Sequence, residues 1–272
     1  MLQIIFFATY LFFASLTNAN KEAVPFNISN PQIKIELSKE LKEISGLTWF
    51  NNNQLGTVQD EAGIFYLLNS NTGKIEEKIK FSLPGDFEGV ESVGNCIYTL
   101  TSSGTLFYFD KNKPEDVKRI NTPLNLMNDA EGLGYDAISN QLLIICKESG
   151  GIKNSKFKGK SIYGLNIENH AFSDDPFATI KKSSIEEFVK VDKFKPSAIA
   201  VDPLTQDIYI IASAGKLLVV LGKDLKVKAA VKLPSKKYAQ PEGICFSPEG
   251  DLFISNEGKD HKATIYHIKR NK

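Results

Sequence analysis

The sequence predicts an all-β fold, a five-bladed β-propeller, with six blades the less favoured count. Three observations predict it. First, a Glu or Ser followed by a small residue opens an apolar run five times: "EISGLTWF", "DFEGVESV", "DAEGLGYD", "KPSAIAVD" and "QPEGICFS". Second, the small residues Gly46, Gly89, Gly132, Ala198 and Gly243 follow one another at intervals of 43, 43, 66 and 45. Third, the apolar pattern between them is short and strand-like, broken by turn clusters such as "NSNTGK" and "SPEGD". A unit of about 45 residues with three or four short strands cannot bury both faces alone, and it has the size of a propeller blade.

The elements follow in chain order. Residues 2–16 are almost wholly apolar and lead to Thr17-Asn18-Ala19, a small-residue cleavage site. A run of roughly 15 falls short of the roughly 20 residues a membrane span requires and fits a secretory signal peptide. No Lys or Arg precedes it, which leaves an uncleaved membrane anchor as the alternative reading of 1–19. Residues 20–32 are expected to form a linker, and 33–272 a single propeller domain. The alternating segment "QIKIELS" precedes the first motif, and the last unit has room for only three strands. The N-terminal strand is therefore expected to complete the last blade and close the ring.

Strand pairs are legible within the units: "QLGTVQD" with "GIFYLLN", "CIYTLT" with "TLFYFD", "DIYIIAS" with "KLLVVLG". Phe65, Tyr66, Phe107 and Tyr108 fall in third strands and are expected to pack blade against blade. The long interval exceeds 43 by 23 residues, too few for a blade, and predicts an insertion at about 150–193. Ser183 and Glu186 in "SSIEEFVK" have the spacing of a capping box on a short helix. Lys153, Lys156, Lys158 and Lys160 make this insertion basic, either a solvated loop or a basic lip for an anionic ligand.

Composition removes several function classes. The chain carries 33 basic and 32 acidic residues, so no net field favours nucleic acid. Arginine occurs only at 119 and 270, which argues against a forked grip on phosphates. Cys96, Cys146 and Cys245 lie in strand-like runs and read as small core thiols, not a disulfide framework. The CxxC, HExxH and GxSxG signatures are absent, and His170, His261 and His267 have no ligand spacing.

Neighbouring strands in a blade run antiparallel, so residues entering strand one meet residues leaving strand two. Ser45, Glu88, Glu131, Ser197 and Glu242 enter, while Asp60, Glu61, Ser102, Glu148, Ser213, Asn256 and Glu257 leave. Both sets are expected to ring one channel mouth, with Lys147 as the one aligned counter-charge. The glutamates either cap backbone N–H groups at blade junctions or share a cation. Carboxylate, amide and hydroxyl donors suit calcium better than zinc or copper. Glu88, Glu131 and Glu242 are the metal-ligand candidates; Ser45, Asp60, Glu61, Glu148, Asn256 and Glu257 are the ligand-binding candidates.

The run "SGLTW…QDEAGIFYL…DFEGVE…YTLTSSGTLFYF" and the closing "QPEGICFSPEGDLFISNEG" resemble the SdiA-regulated (YjiK-like) family of bacterial envelope proteins. The resemblance covers about residues 30–270, and the fourth unit departs from it, with Ser197 and Ala198 in place of Glu-Gly. It implies a propeller fold, related calcium-regulated propellers, and a place in the periplasm or at the membrane of a bacterium. It implies no particular activity. The favoured function is an exported propeller binding a small ligand or an envelope protein at the acidic mouth, with calcium. A metal-dependent hydrolase, phytase-like or lactonase-like, is the alternative.

Overall fold

The structure, a computed structural model, describes residues 24–51, 53–152 and 158–271. Strand β1 (Ile33–Glu36) comes first, followed by a 3-10 turn at Lys39–Leu41. Blade one is β2 (Ile44–Trp49), β3 (Gln54–Gln59), β4 (Ala62–Asn69) and β5 (Ile75–Lys80). Blade two is β6 (Phe87–Val93), β7 (Cys96–Thr101), β8 (Thr105–Asp110) and β9 (Lys118–Asn121). Blade three is β10 (Ala130–Asp136), β11 (Gln141–Cys146), β12 (Lys160–Asn166) and β13 (Ala178–Ile180), with helix α1 (Lys182–Glu186) after it. Blade four is β14 (Lys195–Val201), β15 (Ile208–Ala214), β16 (Leu217–Leu221) and β17 (Val227–Lys232). The chain ends with β18 (Pro241–Phe246), β19 (Leu252–Asn256) and β20 (Thr264–Ile268).

Each blade is a four-stranded antiparallel sheet, and the last has the order β1-β20-β19-β18. Ile33 to Glu36 pair with His267 to Thr264, so the N-terminal strand closes the ring as its alternation suggested. The inner strands β2, β6, β10, β14 and β18 touch in sequence, and β18 returns to β2 around the axis. Five apolar clusters fill the five blade junctions. Phe65, Phe87 and Phe109 belong to the junction of blades one and two, and Leu47, Tyr66, Phe253 and Ile265 to that of blades one and five. The third-strand aromatics pack there as expected, Phe65 against Phe109 at 6.4 Å and Tyr108 against His170 of blade three at 5.1 Å.

Three sequence expectations need correction. The stretch 20–32 is no linker from residue 24 onward: Phe26 and Ile28 are buried in the junction of blades four and five. The excess of the long interval is not one insertion, because strands β12 and β13 lie inside 150–193. The added residues are divided between the β11–β12 loop and the α1 connection to β14. The capping box does not form either. Helix α1 begins after Lys181, Ser183 is already inside it, and its N-cap makes no side-chain hydrogen bond. Cys146 and Cys245 are buried free thiols, and Cys96 is half-buried. The proposed signal peptide or anchor lies outside the described residues. No helix among the described residues is long and apolar enough to cross a membrane.

Candidate functional site

The recurring motif builds one mouth of the channel. At the start of every inner strand the ladder skips: between Ile44 and Leu47, Phe87 and Gly89, Ala130 and Gly132, Pro196 and Ala198, Pro241 and Gly243. Such a bulge takes the extra residue out of the pairing and re-aims its side chain. Glu88, Glu131, Ser197 and Glu242 are those extra residues, and Ser45 lies in the corresponding skip. The glycine that follows has a separate cause. A Cβ on Gly46 would lie 2.7 Å from Val90 N, one on Gly89 2.9 Å from Leu133 Cβ, and one on Gly132 2.8 Å from Ala198 Cα. Each glycine lets its inner strand touch the next blade's inner strand.

The mouth is a cavity of about 110 Å³ whose lining includes Glu43, Asp60, Glu88, Glu131, Glu242, Glu257 and Lys147. Six carboxylates face one ammonium. Lys147 Nζ donates to Glu131 Oε1 at 2.6 Å and stands 3.9 Å from Asp129 Oδ2. Ser45 Oγ lies within hydrogen-bonding distance of the Glu88 carbonyl, 2.8 Å, and of Glu88 Oε2, 3.1 Å. Burial, and then the charge of Asp86, pushes the Glu88 carboxyl up to about 7. Burial pushes Glu242 up to about 8, with Glu257 and Glu88 adding to the shift and Lys147 opposing it. Glu131 is raised by burial and by Glu88, and Asp60 is raised to about 6 by burial, Glu43 and Glu61. These groups share protons as a set.

The family model described as SdiA-regulated matches residues 26–259, most of the ring. The chain belongs to the SdiA-regulated family. No curated protein sequence matches it significantly. Among solved structures, this SdiA-regulated chain is similar to the glutaminyl cyclase of Myxococcus xanthus, with a TM-score of 0.60 and 13% identity over 89% of this chain and 96% of the other. It is also similar to a luciferin-regenerating enzyme, at TM-score 0.54 and 12% identity over 89% and 98% of the two chains. A chain of a nidogen/laminin complex matches at TM-score 0.52 and 12% identity over 78% and 72%. At such identities the likeness shows the fold alone, and propellers serve both catalysis and binding.

Within this SdiA-regulated ring, the expected mouth residues divide. Ser45, Asp60, Glu88, Glu131, Glu242 and Glu257 line the cavity together. Glu148 does not: its carboxylate pairs with Lys195. Glu61 lines a groove outside the mouth with Asp60 and Asp86, and acts on the cavity through the Asp60 charge. Asn256 is 2% exposed behind the mouth, with both amide atoms unpartnered. Lys160 donates to the carbonyls of Lys147 and Glu148, so it holds the lip of β11 in place of offering a free cation. Lys153 and Lys156 lie outside the described residues.

Glu43 and Gln240 line the mouth without having been foreseen. The available signal was their place immediately upstream of the motif in "KEISG" and "QPEG". Among the described residues no three His, Cys, Asp or Glu side chains form a ready-made metal cage. The donor chemistry nonetheless fits a hard cation: the lining side-chain oxygens are carboxylate, amide and hydroxyl, and buried Asp60 Oδ1 has no partner.

Proposed function

We propose that this protein binds calcium at the acidic channel mouth, and with it a ligand or an envelope partner, as an exported, non-enzymatic propeller. The observation that carries the proposal is the charge imbalance of the mouth, six carboxylates against Lys147 in about 110 Å³. Like charges that close resist joint ionisation unless a cation sits among them. Glu88 and Glu242, with Asp60 and Glu257, are the residues that would hold it, while Lys147 keeps Glu131. Bound calcium would supply positive charge and open oxygen coordination positions for an anionic group of the ligand. Leu83, Leu126 and Met127 are 75%, 71% and 71% exposed on the connectors leading into β6 and β10. They offer an apolar border on that face to a macromolecular partner. No His or Arg lines the mouth among the described residues, which disfavours the hydrolase alternative.

Calcium titration of the chain tests this reading. A ligand binding only the native state stabilises it by about 2.7 kcal/mol at a hundredfold excess over its dissociation constant. Millimolar calcium should raise the melting temperature and EDTA should reverse the rise. The combined change Glu88→Gln, Glu131→Gln and Glu242→Gln should leave a folded protein without that response. A full calcium shift in the triple variant would place the site elsewhere. Calcium-dependent turnover of phytate, phosphomonoesters or lactones that vanishes in Glu131→Gln would establish the hydrolase instead.

A further inference from the structure

The inner strands that open at the acidic mouth end at a second cavity on the opposite face. It encloses about 420 Å³ and is lined from every blade, by Trp49, Glu91, Tyr135, Ala200 and Phe246 on β2, β6, β10, β14 and β18. Glu91 is its one carboxylate, and no Lys, Arg or His lines it among the described residues. Glu91 Oε1 accepts from Thr48 Oγ1 at 2.5 Å and from the Ser92 amide at 2.8 Å. Burial raises its carboxyl to about 7, against these two hydrogen bonds and one involving the Tyr135 backbone, which favour the anion. Glu91 keeps some accessible surface because it opens into a cavity, not into bulk solvent. Thr48 and the Ser92 amide thus hold the Glu91 carboxyl in place, and no counter-ion among the described residues faces it.

Beside Glu91, the polar side chains of Thr48, Ser92, Gln206 and Ser247 share the lining with an apolar part that continues to the rim. Ile138 and Leu204 are 72% and 56% exposed on the turns that carry the lining residues Ala137 and Pro203. Large apolar side chains left in water beside a cavity complement an apolar guest. Trp49, Tyr135 and Phe246 bring aromatic surface to the lining, and aromatic rings attract cations.

We propose that this cavity binds a primary organic ammonium with an apolar body, Glu91 taking the ammonium and Trp49, Tyr135 and Phe246 the body. No lining residue is shared with the acidic mouth, so the inference does not depend on calcium. Trp49 is the one tryptophan of the chain, and its fluorescence therefore reports this cavity. Titrating 2-phenylethylammonium into the full chain should change that fluorescence saturably. Glu91→Gln should weaken binding by about tenfold or more, since a desolvated charge pair loses one partner. The neutral isostere 2-phenylethanol should be weaker than the ammonium by a similar factor. If Glu91→Gln does not fold, Ala137→Phe on the exposed rim keeps the carboxylate, fills the entrance and should abolish the response. The proposal is overturned by no saturable change up to roughly 10 mM. It is overturned equally if the alcohol, Glu91→Gln or Ala137→Phe binds like the natural pair.

Discussion

At the residue scale, the mouth glutamates set the pH dependence of stability. Glu88 and Glu242 have folded values of about 7 and 8, well above the ordinary carboxyl value near 4.5. A raised folded value means the native state binds those protons more tightly than the unfolded chain does. Their contribution is complete below about 4.5 and is lost as pH rises through about 7 to 8. Without calcium, stability should therefore fall between pH 5 and pH 8, by on the order of a few kcal/mol. Urea titrations across that range check it, and Glu242→Gln should flatten the slope. Lys147 makes the complementary case. Its partner Glu131 has a side chain 2% exposed, and removing one member of such a pair leaves an uncompensated charge. Lys147→Met should cost up to about 3 kcal/mol, and more at pH 10 than at pH 7, because Glu131, raised to about 9 even beside Lys147, takes a proton below that value. Equal losses at both pH values would mean that the pair is not electrostatic in origin.

At the element scale, the bulged start of each inner strand separates two requirements that the Glu-Gly motif combines. The bulge aims the acid, and the glycine permits contact between blades. A Cβ at Gly132 would meet Ala198 Cα, Ile199 N and Ile145 Cγ2, each at 2.8 Å, two of them backbone atoms of the next blade. Gly132→Ala should cost about 2–3 kcal/mol by overpacking. Gly94 is the contrast: its φ is +61° and a Cβ there meets nothing within 4 Å. Gly94→Ala should cost only about 1 kcal/mol, the left-handed conformation alone. Denaturant midpoints of the two variants check the order. In blade four Ala198 already stands at the glycine position, and Ser197 Oγ donates to the Pro241 carbonyl at 2.7 Å. There the motif serves structure, while at Glu88, Glu131 and Glu242 it delivers acid to the mouth.

At the scale of the whole molecule, stability depends on closing the ring at both chain ends. Strand β1 supplies the outer edge of the last blade, and Phe26 packs with Tyr209 and Phe246 at 5.9 and 6.0 Å across blades four and five. Arg270 lies over the Phe26 ring at 5.0 Å and its guanidinium pairs with Asp202, fully buried on blade four. An open ring would expose strand edges and apolar blade faces. A chain beginning at residue 37 should therefore lose cooperative unfolding, whereas one beginning at residue 24 should keep it. Circular dichroism melts distinguish the two, and an unchanged midpoint for the shorter chain would refute closure as a source of stability.

The blade count, the closing strand and the acidic mouth were legible in the sequence because each depends on local periodicity. Strand alternation has a period of two, three of the four blade intervals are 43 to 45 residues, and antiparallel pairing repeated blade by blade brings Glu88, Glu131 and Glu242 to one face. Tertiary structure decided what periodicity does not encode. Phe26 and Ile28 became core because a groove between blades four and five, distant in sequence, receives them. Glu148 left the mouth because Lys195, from the next blade, holds its carboxylate. Glu91 became the base of a second cavity only when five strand ends met on the axis, since the space they enclose belongs to none of the repeats singly.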